Sequence, residues 1–322
     1  MLPTHQRLNV KHVGDFGNVI FITQKKKLSM EAVESQFGDF LAGVTDGDGC
    51  FSFSINKAHQ NIWNCTFKIT LSNYNKRLLH ILKGKMGCGT INEIRGKDSA
   101  EWRIRDRNAL LKVIVPLFHK HALYSTKYFY FLRWQRALEI LEYHGGPSEE
   151  KHQALLQLKQ QMPPEGYVSP HWKDSKPSDQ WVLGFVEADG SFFITRKGTS
   201  HSTSGGCPRV VHSFGITQRL DPKMMDFLRY KFHITSNVQQ TKEGFYILET
   251  TRDSSLQCIK AFFHKKLRGI CSLEYRIWSR SMRDKGNAQA LLRVQAQMRK
   301  LRKFKKKTQH EGIVRSTAKA VE

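Results

Sequence analysis

The sequence predicts an α+β protein made of two pseudo-symmetric halves. Three observations lead there. A short signature occurs twice, as Phe40-Leu41-Ala42-Gly43-Val44-Thr45-Asp46-Gly47-Asp48-Gly49 and as Val182-Leu183-Gly184-Phe185-Val186-Glu187-Ala188-Asp189-Gly190. An aromatic strand candidate follows each copy, Phe51-Ser52-Phe53-Ser54-Ile55 and Ser191-Phe192-Phe193-Ile194-Thr195. The elements that come next repeat in the same order at a domain-sized interval.

Residues 1–30 show no periodicity and read as an N-terminal extension. The first half spans 31–143. Its signature is an apolar helix ending in acid-x-Asp-Gly, and the aromatic strand comes next. Cys65 to Leu71 alternates apolar and polar residues, the period of a half-buried strand. A helix over Lys76 to Met86 leads into Gly87-Cys88-Gly89, which punctuates it. Two further strands are expected over Thr90 to Ile94 and Glu101 to Arg105. Helices over Arg107 to Phe118 and Tyr124 to Tyr143 complete the unit.

A linker, 144–178, opens with His144-Gly145-Gly146-Pro147 and carries one helical patch, Glu149 to Met162, stopped by Pro163-Pro164. The second half, 179–307, repeats the plan. Its strands are expected over His212 to Gln218, Asn237 to Gln240 and Phe245 to Thr250. Its helices are expected over Pro222 to Phe232, Ser254 to Phe263 and Ser272 to Met282. A basic helix, Ala288 to Lys307, closes it, and 308–322 reads as a disordered tail. Each half thus runs α-β-β-α-β-β-α-α.

The formal charge is +24 over 322 residues, with 39% hydrophobic residues. Such a chain repels itself unless it meets a polyanion, and nucleic acid is the default partner. No run of eighteen apolar residues suggests a membrane span. The basic residues are spread over strand-like segments, not gathered on one amphipathic helix, which argues against a membrane-surface protein. The six cysteines include no C-x-x-C pair, so a zinc knuckle has no support. The densest basic run, Arg299 to Lys307, holds seven basic residues in nine and fits phosphate contact or a solvated tail equally well.

Small residues four apart, Gly43 with Gly47 and Gly184 with Ala188, lie on one helix face and let two backbones approach closely. Packing the two helices side by side brings their C-terminal ends together, with Asp48 and Asp189 at those ends. Two carboxylates at two negative helix termini repel each other, and divalent cations relieve that repulsion. Oxygen-only ligands, including the carbonyls of Gly47 and Ala188, suit magnesium. Paired acids beside a basic surface point to phosphodiester hydrolysis. An EF-hand is excluded, because Cys50 and Phe51 stand where ligand and glycine are needed.

On these residues the chain resembles the LAGLIDADG homing endonucleases of the single-chain, two-motif type, over about 35 to 305. The resemblance implies the αββαββα fold of that family in each half, with saddle-shaped antiparallel sheets lying over the DNA major groove. It implies a monomer that cleaves both strands of a long, asymmetric double-stranded DNA target, roughly 20 base pairs or two helical turns. It implies Mg2+ as cofactor, with Mn2+ as a replacement and Ca2+ as a non-activating substitute. Asp48 and Asp189 match the family's catalytic metal-binding acids. Asp46 and Glu187 match the earlier, mostly structural acid. Gln218 matches a glutamine that orders water, where the first half has Leu71. Lys127 matches a lysine near the scissile phosphates, where the second half has Cys271, with Arg268 as a substitute. The family is usually encoded in organellar introns, which makes a mitochondrial or chloroplast setting the expectation.

Alternation assigns one face of each strand to the helices and the other to DNA. The expected DNA-facing set in the first half is Ser52, Ser54, Asn56, Asn64, Thr66, Lys68, Thr70, Glu101, Arg103 and Arg105. In the second half it is Phe193, Thr195, Lys197, Arg209, Ser213, Asn237, Gln239 and Thr241. These types suit base-edge reading: Arg and Lys for guanine, Asn and Gln for adenine, Phe and the Thr methyl for thymine. The rival reading is an RNA maturase acting on its host intron RNA on the same fold, with or without nuclease activity. A DNA-binding regulator would not need paired acids at the helix junction.

Overall fold

The computed structural model describes residues 34–56, 59–143, 148–198 and 209–301. The expected extension (1–30), the tail (308–322) and the basic run from Arg302 onward lie outside the described residues.

Each half opens on its signature helix: α1 over residues 34–48 and α8 over Asp179–Asp189. Ser178 caps α8 with its hydroxyl, which accepts from Trp181 N at 3.2 Å. Each signature glycine then starts the first strand, β1 (Gly49–Asn56) or β5 (Gly190–Lys197). β1 pairs antiparallel with β2 (His59–Ser72), and β5 with β6 (Arg209–Gln218). After α2 (Lys76–Met86) come β3 (Thr90–Glu93) and β4 (Ser99–Ile104); after α9 (Pro222–Lys231) come β7 (Gln239–Gln240) and β8 (Tyr246–Thr250). The result is two four-stranded antiparallel sheets of identical topology, β1-β2-β4-β3 and β5-β6-β8-β7.

Helices cover one face of each sheet. In the first half these are α3 (Arg107–Ala109), α4 (Val115–Lys120) and α5 (Lys127–Tyr143), with a π-helical turn over Leu110–Ile114 joining α3 to α4. In the second half they are α10 (Asp253–Phe263) and α11 (Cys271–Ser281). The alternation read from the sequence puts Phe51, Phe67, Trp102 and Ile104 in the core of the first half, all 5% exposed or less. Phe51 meets Trp134 at 5.4 Å between ring centroids, and its counterpart Phe192 meets Trp278 at 5.2 Å. Such tilted aromatic pairs contribute about 0.5–1.5 kcal/mol each beyond the area they bury.

The linker carries α6 (Glu149–Gln160) and a short α7 (His171–Asp174) absent from the sequence expectation. α6 packs on the first half, where Trp63 Nε1 donates to His152 Nδ1 at 3.3 Å. The last described helix, α12 (288–301), runs along the free edge of β5, where Gln295 Nε2 donates to the Ile194 carbonyl at 2.6 Å. Strand ends differ from expectation in two places. β7 has only two residues, so Asn237 and Thr241 lie outside it, Asn237 accepting from Arg229 at 3.3 Å. β4 ends at Ile104, leaving Arg105 exposed beyond it.

Candidate active site and nucleic-acid interface

α1 and α8 cross backbone against backbone. A Cβ on Gly43 would lie 2.0 Å from the Trp181 carbonyl oxygen, and one on Gly184 would lie 2.0 Å from the Phe40 carbonyl oxygen. No side chain other than hydrogen fits at either position. This reciprocal contact is what the small-residue spacing in the signature encodes.

The crossing brings the two helix ends together. A Cβ on Gly47 would lie 2.5 Å from the Ala188 Cβ and 2.6 Å from Asp189 Oδ2, so the second acid stands against the residue before the first. Burial pushes the Asp48 carboxyl up, and the Lys127 charge opposes that rise. Burial and then the Asp48 charge push Asp189 up further, against Lys127 and the Gln218 hydrogen bond. Gln218 Nε2 donates directly to Asp189 Oδ2. Lys127 Nζ donates to the carbonyls of Gly47 at 2.8 Å and Thr45 at 3.3 Å, at the C-terminal end of α1.

The earlier acids hold loops. Asp46 is 2% exposed and accepts from Tyr124 N at 2.8 Å, Ser125 N at 3.1 Å, Ser125 Oγ at 2.5 Å and Trp181 Nε1 at 2.8 Å. Burial outweighs those bonds and raises its pKa to about 6. The loop it holds feeds directly into Lys127 at the start of α5. Glu187 does the same in the second half, accepting from Arg268 N and, at 2.8 Å, from Gly269 N ahead of α11. Matching these two clamps aligns Tyr124 with Arg268 and Lys127 with Cys271.

A second pair of clamps crosses between the halves. Asp221, before α9, accepts from Thr126 N at 2.8 Å and Thr126 Oγ1 at 2.7 Å. Asn75, before α2, accepts from Ile270 N at 3.0 Å and donates to the Glu187 carbonyl at 3.2 Å. Each half therefore fixes the loop that delivers the other half's residue 127 or 271. Nothing in the sequence pattern singled out Asn75 and Asp221. Their one shared signal is the position before the helix that follows the second strand.

The halves differ in chemistry. Strand pairing sets Gly49 against Ile69 and Gly190 against Ile216, so Leu71 is the counterpart of Gln218. Leu71 is 5% exposed and apolar. Cys271 Sγ lies 3.7 Å from the Glu187 carbonyl and 4.0 Å from that of Val186, where Lys127 reaches one residue further in the first half. The Arg268 guanidinium stacks over the Phe40 ring at 4.2 Å, so it packs on α1 in the way that Tyr124 packs on Trp181.

On the face of the first sheet opposite the helices, Ser52 pairs with Thr66 and Ser54 with Asn64. Asn56 ends β1. Lys68 pairs with Arg103 and Thr70 with Glu101. Glu101 is 3% exposed and binds both Lys68, at 3.6 Å, and Arg103. The expectation of Glu101 as a base contact is corrected by this burial: its carboxylate is spent on holding two like charges side by side. In the second sheet Phe193 pairs with Ser213, Thr195 with Val211 and Lys197 with Arg209. Ser213 is fully buried, which corrects its expected exposure on this face. Gln239 lies on β7, and the Thr241 hydroxyl accepts from Phe245 N at 3.2 Å in the turn beyond.

Among the described residues no group of three or more His, Cys, Asp or Glu side chains is gathered for a metal ion. The donor set that is present is two carboxylates from two helix ends with flanking main-chain carbonyls. It fits hard, oxygen-ligated cations, whose remaining positions are filled by water and phosphate. Burial first, and the Asp48 charge second, raise Asp189, and a cation bound between the two carboxylates would offset both costs.

Two copies of one fold, joined through glycines and presenting one acid each, define a double-motif LAGLIDADG protein. The chain belongs to the LAGLIDADG endonuclease family, whose pattern matches residues 41–138 and 182–282. It is 31% identical over 284 residues to the probable intron-encoded endonuclease Cox1-I1b of Schizosaccharomyces pombe, covering 85% of this chain and 71% of that protein. It is 22% identical over 242 residues to the probable intron-encoded endonuclease aI3 of Dictyostelium citrinum, with 73% and 88% covered. Among solved structures, I-SmaMI bound to uncleaved DNA with calcium ions superposes with a TM-score of 0.68 at 24% identity, over 80% of this chain and 96% of that one. The LAGLIDADG meganuclease I-CpaMI bound to uncleaved DNA superposes with a TM-score of 0.68 at 22% identity, over 80% and 98%. These likenesses agree with the fold of two αββαββα halves.

Proposed function

We propose that this endonuclease acts as a monomer, depends on a divalent metal and cuts both strands of a long, asymmetric DNA target. The observation that carries the reading is the pair Asp48 and Asp189, one from each half, at the glycine-packed junction between two sheets. Asp48 and Asp189, with the carbonyls of Gly47 and Ala188, would hold Mg2+ or Mn2+. A divalent cation bound there supplies charge neutralisation at the phosphoryl oxygens and acidification of water.

The chain's own groups do the rest. Gln218 fixes one Asp189 oxygen and keeps its own amide oxygen to accept from a water. Lys127 brings a positive charge to the end of α1, against the negative end of the helix dipole and toward an incoming phosphate. Asp46 keeps Lys127 in place through Ser125. Lys68, Arg103, Lys197 and Arg209, with the serines, threonines, asparagines and glutamines of both sheet faces, would divide base reading from phosphate contact. The intron-encoded relatives, and a 28% identical stretch in the mitochondrial protein RF1 of Saccharomyces cerevisiae, support an organellar setting.

The test is cleavage of a randomised duplex library with Mg2+, alongside Asp48→Asn and Asp189→Asn. Full cutting by both variants would remove the mechanism. One observation favours a second role in binding host intron RNA. A cleft of about 780 Å³ on the helical side, away from the sheets, is lined by Arg77, Lys260, Lys265, Arg276, Arg280 and Arg283 and by no acidic residue. Splicing of the parent intron with and without Arg276→Glu/Arg280→Glu tests that role.

A further inference from the structure

The two sheets can be compared position by position. The matched pairs Gly49–Ile69 and Gly190–Ile216 make Ser52 the counterpart of Phe193 and Lys68 the counterpart of Gly215. The pairs Lys68–Arg103 and Gly215–Glu249 then match Arg103 with Glu249, and Thr70–Glu101 and Thr217–Ile247 match Glu101 with Ile247. The charged cell of the first sheet, Lys68, Glu101 and Arg103, is therefore replaced in the second by glycine, isoleucine and glutamate, with a phenyl ring in place of a serine.

The replacement is built, not merely a loss of the two basic side chains. A Cβ on Gly215 would lie 3.3 Å from Phe193 Cε1 and 3.6 Å from Cζ, so the ring lies over the bare backbone of β6. A cleft of about 400 Å³ opens there, its lining including Phe193, Gly215, Ile247, Glu249 and Asp189, with Met298 and Arg299 of α12 on its border. Lysine and arginine are absent from its sheet floor. Glu249, exposed on the same floor, suits the N4 amine of a cytosine. What the apolar part, Phe193, Gly215 and Ile247, can recognise in a major groove is an apolar group, and the only one a base edge offers is the thymine 5-methyl. Guanine, by contrast, suits the Lys68 and Arg103 donors that Glu101 holds together in the first sheet.

We infer that the cleft formed by Phe193, Gly215 and Ile247 beside Asp189 is a thymine-methyl site, so that the half-target under the second sheet is read by apolar contact close to the point of cutting. The inference rests on the endonuclease reading above. It assigns the two half-targets opposite chemistry at equivalent base pairs. Arg299, at the rim, is left for the neighbouring phosphate.

The experiment uses the full chain with Mg2+. Duplexes cleaved from a randomised library by the wild type are sequenced, and deoxyuridine then replaces thymidine one position at a time in the selected duplex. Uracil pairs as thymine does and lacks only the methyl. The expected result is enrichment of thymine in one half of the target near the cut, with cleavage falling about tenfold when that thymine becomes uracil. Phe193→Leu should keep this methyl dependence and Phe193→Ser should lose it. Because the uracil scan is made on the wild-type protein, misfolding of a variant cannot mimic the result. Uracil duplexes cleaved as well as their parents at every position would overturn the proposal alone. Failure to select any duplex would overturn the endonuclease reading and this inference with it.

Discussion

The Asp221 carboxylate, in the second half, holds both the main-chain N–H and the hydroxyl of Thr126, in the first, at 2.8 and 2.7 Å. Its counterpart Asn75 makes the reciprocal hold on Ile270 with an amide oxygen. Burial raises the Asp221 pKa, against the opposing Thr126 bonds. A carboxyl whose folded pKa lies above its unfolded value favours folding fully at pH below the unfolded pKa, and that contribution is lost as pH rises through the folded one. Asp221→Asn keeps the acceptor and removes the charge. Its melting temperature should match or exceed the wild type at neutral pH, with the gap closing in acid. Asp221→Ala, which leaves Thr126 without its partner, should lose about 1–3 kcal/mol in denaturant unfolding.

Asp46 serves four donors from both halves, so its removal should be costly. Asp46→Ala is expected to destabilise by about 3 kcal/mol or more, since the buried Tyr124 N–H and Trp181 Nε1–H lose the carboxylate that accepts from them. The surviving folded fraction should cut slowly, because Ser125 no longer fixes Lys127. Urea unfolding and cleavage measured per folded molecule separate the two effects.

Asp48→Asn and Asp189→Asn should each retain DNA binding and lose cleavage by roughly 10³-fold, the several kcal/mol of charge stabilisation that a metal site supplies. A chelator should stop the wild-type enzyme to the same degree and leave binding in place. Filter binding beside a cleavage time course checks both.

The lysine-for-cysteine difference predicts unequal strands. Lys127 reaches the end of α1, whereas Cys271 places a neutral thiol at the matching point of α8. A nicked intermediate should accumulate with the wild type. Cys271→Lys should speed the slower strand by roughly tenfold, and so deplete that intermediate. Strand-specific end labels on one duplex read this directly.

The fold and the heart of the site were legible because both rest on short-range rules. Period-two alternation put Phe51, Phe67 and Phe192 inside, and small-x-x-x-small spacing put the two helices in contact with Asp48 and Asp189 at their ends. The structural role of Asp46 and Glu187 came from resemblance, and the geometry supplies its reason in the loops they hold. What stayed hidden depends on distance along the chain. Asn75 meets Ile270, and Asp221 meets Thr126, across intervals no local pattern spans. The burial of Thr66, Glu101 and Ser213, all expected on the DNA-facing side, was missed for a related reason. Alternation assigns a face to a residue but not the neighbours that cover it, here Lys68 and Arg103 for Glu101.

At Gly43 and Gly184 the neighbour is main chain, not side chain. Carbonyl oxygens cannot be trimmed by mutation, so no second change elsewhere can make room for a bulkier residue at either place. The surrounding aromatic and aliphatic positions are free to drift in concert as generations pass, each swap answered by another. These two sites have no such escape, and every descendant that still joins its halves this way must carry a hydrogen there.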